Sequence, residues 1–177
     1  MFILAPLGAV LGLFALYVAM RPGDFRITRS LEIPAPPSVL FALINDFHEW
    51  AAWSPWEKMD PSMQKTFEGP SSGKGATYRW HGNKKVGRGS MSILDTTPDS
   101  RLEIELTFIE PFAATNRTVF TLEPAGAGTK VTWAMDGHNK FMAKAFGVFV
   151  DMDKLVGADF ERGLAAMRDA AAKKSAN

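Results

Sequence analysis

Few side chains in this 177-residue chain could carry out acid–base, nucleophilic or metal chemistry. The chain contains no cysteine, which excludes thiolate catalysis and disulfide bonds. Its three histidines are His48, His81 and His138. His81 is expected on the outward face of a strand, His48 near the end of a helix and His138 just after the last strand. We interpret all three as surface or loop residues, so the sequence predicts neither a zinc site nor a Ser-His-Asp triad.

Glu57 and Asp60 are the titratable residues best placed for general acid–base work, because they directly follow a cluster of three tryptophans, 50-WAAWSPW-56. A catalytic carboxyl group must lie within hydrogen-bond reach of the substrate. In the alternative interpretation, the two carboxylates are surface charges near Lys58 that mark the wet rim of a binding site. The sequence favours this alternative, so no catalytic residue is predicted.

The other acidic clusters are expected to face solvent. Glu103 and Glu105 alternate with leucine, isoleucine and phenylalanine and therefore point away from the core of a sheet. Asp151, Asp153 and Asp159 do not follow the ligand spacing of a calcium-binding loop, whose glycine is also absent. The sequence therefore predicts no metal ion and no cofactor.

The hydrophobic periodicity predicts one strand, one helix, a run of strands and a second, long helix. Residues 25–33 have the pattern of a strand, and residues 38–50 have that of a helix with Ser38 as its N-cap. Short strands follow, with hairpin turns at residues 82–85 and 125–128. Consecutive hairpins without an intervening helix indicate an antiparallel sheet. The predicted strands after the first helix cover residues 63–69, 75–82, 86–98, 100–111, 115–126 and 128–137.

The long final helix is predicted from Phe141 to about Ala172, because apolar residues recur at helical spacing and proline is absent. Gly147, Gly157 and Gly163 interrupt this pattern. Each costs roughly 1 kcal/mol relative to alanine, unless close packing or an open cavity requires a missing side chain. A sheet that curls around one long helix is the economical arrangement of these elements, so the predicted fold class is α+β.

Strand alternation sorts the residues of the predicted sheet into two faces. The inward face is expected to carry aromatic, aliphatic and methionine side chains, with only uncharged polar groups among them. Tryptophan and tyrosine opposite helix glycines fit a ligand cavity as well as an ordinary core. The large inward-facing residues are Tyr78, Trp80, Phe108, Phe120, Trp133 and Met135.

The N-terminal segment is apolar enough to predict a membrane anchor. Residues 2–20 carry no charge and would span roughly 28 Å as a helix, close to the thickness of a bilayer core. Nothing basic precedes the run except the amino terminus, and its end is a poor cleavage site, which argues against a signal peptide. We therefore predict a single transmembrane helix followed by a domain over residues 24–173. Arg21, Arg26 and Arg29 favour a cytoplasmic domain, with a periplasmic domain as the alternative.

The charge balance of the domain bears on its partners. All 19 acidic residues and 19 of the 20 basic residues lie beyond Arg21, so the domain is nearly neutral. A neutral domain lacks the basic surface of nucleic-acid-binding proteins. The sequence therefore predicts no nucleic-acid partner.

Five blocks of the sequence are distinctive: 53-WSPWEKMDP-61, 68-EGPSSGKGATYRWHGNKKVGRGSM-91, 108-FIEPFAATNRTVFTLEP-124, 129-TKVTWAMDG-137 and 149-FVDMDKLVGADFERGL-164. Together they resemble the bacterial polyketide-cyclase-like branch of the START-like (SRPBCC) superfamily. The resemblance covers roughly residues 25 to 170. It implies the helix-grip fold, in which a curved antiparallel sheet wraps a long C-terminal helix and leaves a hydrophobic cavity between them. In a bacterium, the predicted anchor would place the protein in the inner membrane.

With this resemblance, the sequence predicts a membrane-anchored domain that binds a small hydrophobic molecule, lipid-like or isoprenoid-like, in an aromatic-lined cavity. Two alternatives stay open: a polyketide cyclase or dehydrase-like enzyme acting on a hydrophobic aromatic substrate, and a regulatory module for a membrane partner. Catalysis is not favoured, because the inward face offers no convincing acid, base, nucleophile or metal site. Trp53 and Trp56 are expected to form a wall or lid near the entrance. The predicted ligand-binding residues are Trp53, Trp56, Tyr78, Trp80, Phe108, Phe120, Trp133, Met135, Phe149, Met152 and Val156.

Overall fold

The computed structural model describes residues 4–175, and the side chains of residues 8–174. Its helices are α1 (Leu4–Met20), α2 (Pro37–Asn45), α3 (Phe141–Phe146) and α4 (Met152–Ser175). Its strands are β1 (Asp24–Ile33), β2 (Gln64–Glu68), β3 (Thr77–His81), β4 (Arg88–Thr97), β5 (Arg101–Glu110), β6 (Ala114–Ala125) and β7 (Gly128–His138). Two short 3₁₀ helices, Phe47–Ala52 and Pro55–Lys58, connect α2 with β2.

The seven strands form one antiparallel sheet in the order β1-β7-β6-β5-β4-β3-β2. Strands β2 to β6 each pair with the next strand along the chain, which confirms the antiparallel sheet expected from the sequence. The first strand pairs with the last, so that Ile27 lies opposite Met135. The register of β4 against β5 shifts between Ile93 and Asp95. Such irregularities bend a strand and contribute to the curvature of the sheet.

The inner face of the sheet packs against α2 and α4 and forms the hydrophobic core. Helix α4 contributes Phe160, Leu164 and Met167, which recur every three or four residues on one side of the helix and are almost fully buried. Helix α2 contributes Leu40 and Leu43, both fully buried. Burial of each such side chain contributes about 1.5–3 kcal/mol. This α+β arrangement of a curved antiparallel sheet around a C-terminal helix fits the helix-grip fold that the resemblance implied.

Helix α2 is shorter than the sequence predicted. It begins at Pro37 with Pro36 as its N-cap, not at Ser38, and it ends at Asn45 rather than continuing to residue 50. Asp46 has extended backbone angles (φ −119°, ψ 116°), and its carboxylate accepts a 2.9 Å hydrogen bond from the backbone N–H of His48. This side-chain cap ends α2 and starts the first 3₁₀ helix, because it offers the backbone an alternative to continued α-helical bonding.

The long C-terminal helix predicted from the sequence is two helices. Helix α3 ends at Phe146, and its C-cap is Gly147, whose N–H donates to the carbonyl oxygen of Ala143 at 2.9 Å. Helix α4 begins five residues later, and the carboxylate of Asp151 accepts a 3.1 Å hydrogen bond from the N–H of Lys154 in its first turn. The apolar periodicity continues across the break, so it could not show where one helix ends and the next begins.

Helix α1 corrects the prediction of a membrane anchor. Its 17 residues extend about 26 Å, which is shorter than the roughly 30 Å core of a bilayer. No helix within residues 4–175 is both long and apolar enough to cross a membrane. Residues 2 and 3 of the predicted anchor lie outside the described residues. The expected single-pass location in the bacterial inner membrane is contradicted by this finding, and attachment to a membrane through this helix is not supported.

The C-terminal end of α1 packs against α3 and the segment that follows α3. The rings of Phe14 and Phe149 lie 6.1 Å apart between centroids. Lys144 of α3 donates hydrogen bonds from Nζ to the carbonyl oxygens of Ala19 and Arg21, both at 2.9 Å. Carbonyl groups at a helix C-terminus lack helical partners and favour a nearby positive charge. Lys144 therefore caps α1 from a different helix.

Candidate functional site

Trp53 lies within the hydrophobic core, where its indole group is used by the fold. The side chain is fully buried, and Nε1 donates a 2.8 Å hydrogen bond to the carbonyl oxygen of Leu43 in α2. The neighbouring Trp50 is also buried and donates from Nε1 to the carbonyl oxygen of Ile44 at 3.1 Å. Both rings contact Trp133 of β7 edge to face, at centroid distances of 5.6 and 6.5 Å. In this conformation, neither indole N–H is available to orient a ligand.

Trp133 carries a buried hydrogen-bond donor that no described residue accepts. Its side chain is 2% exposed and stacks on Phe160 of α4, with ring centroids 4.1 Å apart and an interplanar angle of 5°. Trp56 meets the same ring edge-on at 5.7 Å. The Nε1 atom has no hydrogen-bond partner within residues 4–175. An unpaired buried donor costs about 1–3 kcal/mol, which the stacking and burial of the ring must outweigh.

The glycines of α4 permit close packing of the helix on the sheet. A Cβ atom at Gly163 would lie 2.8 Å from Cζ3 of Trp133 and 3.2 Å from Cδ of Pro55, both shorter than ordinary van der Waals contacts. At Gly157, the corresponding space is occupied by the guanidinium group of Arg29. The sequence allowed for either close packing or an open cavity at these glycines, and close packing is what the structure shows at both positions.

Arg29 is a charged residue on the inner face of β1, where the sequence analysis expected none. It alternates in phase with the buried Ile27 and pairs in register with Trp133. Its Nη2 donates to Asp153 at 3.0 Å and its Nε to Glu161 at 2.8 Å, and these hydrogen bonds raise the pKa of Arg29 above its ordinary value. Arg29 therefore ties the edge strand to two positions on α4. If strand alternation had been applied to residues 25–33, it would have predicted Arg29 on the inner face of the sheet.

Glu57 forms a polar contact at the edge of the aromatic rings. Its Oε1 accepts a 2.7 Å hydrogen bond from the hydroxyl group of Tyr78, and its Oε2 pairs with Nζ of Lys65. The Glu57 side chain is only 9% exposed, so it is not the solvent-facing charge expected from the sequence. Burial, and then the hydrogen bond to Glu57, raise the pKa of Tyr78 far above its ordinary value, so the hydroxyl group stays protonated. These contacts join the second 3₁₀ helix to β2 and β3.

Asp60 is also a buried acceptor rather than a residue at a wet rim. It is 5% exposed and accepts hydrogen bonds from the N–H of Ser62 at 3.1 Å, from Oγ of Ser62 at 2.7 Å and from the N–H of Asn83 at 2.7 Å. The hydrogen bonds from Ser62 and Asn83 lower the pKa of Asp60 below its ordinary value. Asp60 thus holds the loop before β2 against the turn between β3 and β4.

The structure divides the predicted ligand-binding residues into three groups by their burial. Phe149 and Met152 lie at the surface, where they are 78% and 38% exposed. Trp56, Phe108 and Val156 are partly buried and pack against the core. The remaining six are buried within the core: Trp53, Tyr78, Trp80, Phe120, Trp133 and Met135.

A pocket of about 560 Å³ lies beside Phe149 and Met152, between the end of α1, helix α3 and the start of α4. Small-molecule sites typically have volumes of about 300–1,000 Å³. The polar residues that line the pocket are Arg21, Asn139, Lys144 and Asp151. The apolar residues that line it are Pro22, Ala143, Val148, Phe149, Val150 and Met152. Of these, only Phe149 and Met152 were predicted as ligand-binding residues, and Arg21 and Pro22 reach the pocket through the docking of α1 on α3.

A smaller depression of about 190 Å³ lies near the β2 edge of the sheet and is lined in part by Trp80. Its two arginines are already paired within the protein. Arg79 contacts Glu68 at 3.0 Å, and Arg88 contacts Glu110 at 2.9 Å. This depression therefore offers less unpaired charge and less volume than the pocket at Phe149.

A family model matches residues 24–172, which comprise the whole sheet and most of α4. That model describes the polyketide cyclase/dehydrase and lipid transport family. The chain belongs to this family. Membership confirms the START-like superfamily resemblance of the five sequence blocks. The family description includes both enzymes and carriers, so membership alone does not decide between them.

Solved structures share the fold of this polyketide cyclase/dehydrase and lipid transport domain. A protein of Rhizobium leguminosarum is 14% identical over 86% of this chain and 97% of its own, with a TM-score of 0.63. A protein of Thermobifida fusca is 20% identical over 84% of this chain and 93% of its own, with a TM-score of 0.62. The Aha1 dimer of Colwellia psychrerythraea is 15% identical over 82% and 95%, with a TM-score of 0.59. At these identities the similarity shows the fold alone. No curated protein matches the sequence of this chain.

Proposed function

We propose that the domain binds a small hydrophobic molecule in the pocket between α1, α3 and α4. The observation that carries this proposal is the pocket of about 560 Å³ with Phe149 and Met152 in its wall. Phe149 leaves 78% of its surface in water, which is unfavourable for a large apolar side chain. An apolar molecule that covers this wall would gain roughly 25 cal/mol for each Å² of apolar surface removed from water.

Two further apolar side chains close in sequence to the pocket residues are exposed. Phe146, which ends α3, is 56% exposed, and Leu155, in the first turn of α4, is 55% exposed. Exposed apolar surface that is continuous over several residues is typical of binding sites. The inclusion of lipid transport in the family description agrees with an apolar ligand.

Helix α4 begins at the pocket and continues into the aromatic core. Phe160, on which Trp133 stacks, follows Met152 by two turns of α4, which is about 12 Å along the helix axis. Val156 lies between them and packs against the core. Met152, Val156 and Phe160 therefore recur every four residues and continue one apolar side of α4 from the pocket into the core.

Binding is favoured over catalysis because the two candidate catalytic carboxylates already have partners. Glu57 is held by Tyr78 and Lys65, and Asp60 is held by Ser62 and Asn83. A general acid or base needs to exchange its proton with a substrate, and both of these groups would first have to break structural hydrogen bonds.

The uncharged fluorescent probe N-phenyl-1-naphthylamine tests the proposal in the full-length protein. We expect saturable binding of one probe per chain and a weaker affinity in the variant Phe149→Ser. Phe112→Ser is the matched control, because Phe112 is 75% exposed and lies outside the pocket. Binding that does not saturate, or that both substitutions weaken equally, would contradict a specific site at this pocket.

A further inference from the structure

The pocket proposed above carries more positive than negative charge. Arg21 and Lys144 line it, and Asp151 is the only carboxylate among its described lining residues. Asp151 is already engaged by Lys154, which donates from its backbone N–H at 3.1 Å and places Nζ 3.4 Å away. The backbone hydrogen bond from Lys154 lowers the pKa of Asp151 below its ordinary value. Asp151 therefore serves the start of α4 and leaves the two cations without a carboxylate partner in the pocket.

Both cations have hydrogen-bond donors left for a ligand. Lys144 uses its Nζ on the carbonyl oxygens of Ala19 and Arg21, and an ammonium group has three N–H donors, so one remains. The guanidinium group of Arg21 makes no hydrogen bond or ion pair with any side chain or carbonyl group in the described part of the chain. Arg21 is partly buried and lines the pocket.

The charged and apolar parts of the pocket come from different elements. Arg21 follows α1 and Lys144 lies in α3, whereas Phe149 lies between α3 and α4 and Met152 is the first residue of α4. A neutral apolar molecule would cover Phe149 and Met152 but would leave the N–H donors of Arg21 and Lys144 without an acceptor. A carboxylate would fit Arg21 and Lys144, because an arginine binds a carboxylate through two parallel N–H donors and a lysine adds a point charge.

We propose that the ligand is a single-chain anionic amphiphile whose carboxylate binds Arg21 and Lys144 and whose hydrocarbon chain covers Phe149 and Met152. This inference rests on the proposed function, since it names the class of molecule that occupies the same pocket. The polar end of the ligand then lies towards α1 and its chain lies towards the start of α4.

Isothermal titration calorimetry of the full-length protein with decanoate, decanol and decylamine tests this inference. The three molecules share one chain length and differ in the charge of the head group. We expect decanoate to bind about tenfold more tightly than decanol, because a hydrogen bond to a charged group contributes enough free energy for one factor of ten. Decylamine, which is protonated at neutral pH, should bind more weakly than decanol.

The variant Arg21→Gln should lower the affinity for decanoate about tenfold and leave the affinity for decanol unchanged. Arg26→Gln is the matched control, because Arg26 is 65% exposed and pairs with Asp136 away from the pocket. Equal affinities for decanoate and decanol would overturn the anionic ligand and leave the proposed function standing. A loss of decanoate affinity of the same size in both arginine variants would also overturn it. If none of the three molecules and no naphthylamine probe bound, the proposed function itself would fail.

Discussion

The guanidinium group of Arg29 occupies the space into which a side chain at position 157 would project. Arg29 reaches across from β1 and bonds to Asp153 and Glu161, which lie on either side of Gly157 along α4. Glycine in the middle of a helix costs about 1 kcal/mol relative to alanine. Arg29 and Gly157 are therefore coupled, because the guanidinium group fits against α4 only where position 157 has no side chain.

This dependence predicts that the effect of Gly157→Ala changes sign with the residue at position 29. In the wild type, the added methyl group displaces Arg29 from its carboxylate partners, so we expect a lower free energy of unfolding. In the Arg29→Ala background the space is empty, and Gly157→Ala should stabilise the protein by up to about 1 kcal/mol. Urea denaturation of the four proteins of this double-mutant cycle measures the coupling. Equal effects of Gly157→Ala in both backgrounds would show that the two residues are independent.

Gly163→Ala should destabilise the protein although alanine is the better helix former. The new Cβ atom would press on the ring of Trp133, which is fixed between Phe160 and the rest of the aromatic core. Overpacking of this kind costs about 1–3 kcal/mol. We expect this cost to exceed the stabilisation that alanine gives a helix relative to glycine. Gly12→Ala in α1 is the control, because no described atom other than those of its chain neighbours and the backbone of α1 lies within 4 Å of a Cβ atom at that position. We expect Gly12→Ala to be neutral or stabilising in thermal unfolding, and an equal loss in both variants would contradict the packing argument.

Glu103 links stability to pH through contacts on the outer face of the sheet. Its carboxylate accepts hydrogen bonds from Arg117 of β6 and Arg101 of β5. The hydrogen bonds from Arg117 and then Arg101 lower the pKa of Glu103 to about 2, from an ordinary glutamate value of about 4.3. Because the folded-state pKa is depressed, the unfolded chain takes up this proton first as the pH falls.

The stabilisation from Glu103 should therefore be complete above about pH 5 and decrease as the pH falls from there towards about pH 2. We expect the difference in free energy of unfolding between the wild type and Glu103→Gln to shrink over this interval. Between pH 6 and pH 8 the same difference should be constant, which serves as the internal control. Denaturant titrations at a series of pH values measure it, and a difference that does not vary below pH 5 would contradict this account.

The hydroxyl group of Tyr78 should not ionise in the pH range in which tyrosine normally does. Its hydroxyl group is buried and donates to Glu57 at 2.7 Å, and both effects oppose formation of the phenolate. An ordinary tyrosine has a pKa of about 10. The absorbance at 295 nm of the wild type and of Tyr78→Phe should therefore rise equally between about pH 8 and pH 11. A larger rise in the folded wild type than in Tyr78→Phe would show that Tyr78 ionises in this pH range. The hydrogen bond from Tyr78 to Glu57 would then not be maintained.

Local sequence patterns predicted the sheet better than they predicted the helices. Alternation placed Leu102 and Ile104 in the core and Glu103 on the other face, as the structure has them. A strand repeats every two residues, so a few residues suffice to define its faces. The division between α3 and α4 was missed because Gly147 and Asp151 interrupt the helix without interrupting its apolar period.

The candidate site depends on contacts between segments distant in the sequence, which is why only part of it was predicted. Phe149 and Met152 were predicted from their helical spacing as ligand-binding residues of a cavity between the sheet and a long helix. Arg21 and Lys144 reach the pocket only because α1 docks on α3, and no local pattern encodes that docking. For the same reason, the aromatic residues predicted to line a cavity could not be distinguished from a core before their mutual contacts were known.

The pairing of β1 with β7 has a consequence for synthesis of the chain. Ile27 leaves the ribosome more than one hundred residues before its partner Met135. Until β7 emerges, β1 has an unpaired edge, and Arg29 lacks the α4 residues that bind it. The β2–β6 hairpins can form in order of emergence, whereas closure of the sheet and docking of α4 must follow late in translation. The distant β1–β7 pairing is therefore expected to form last in the sheet, because the chain between the two strands must be made before their ends can meet.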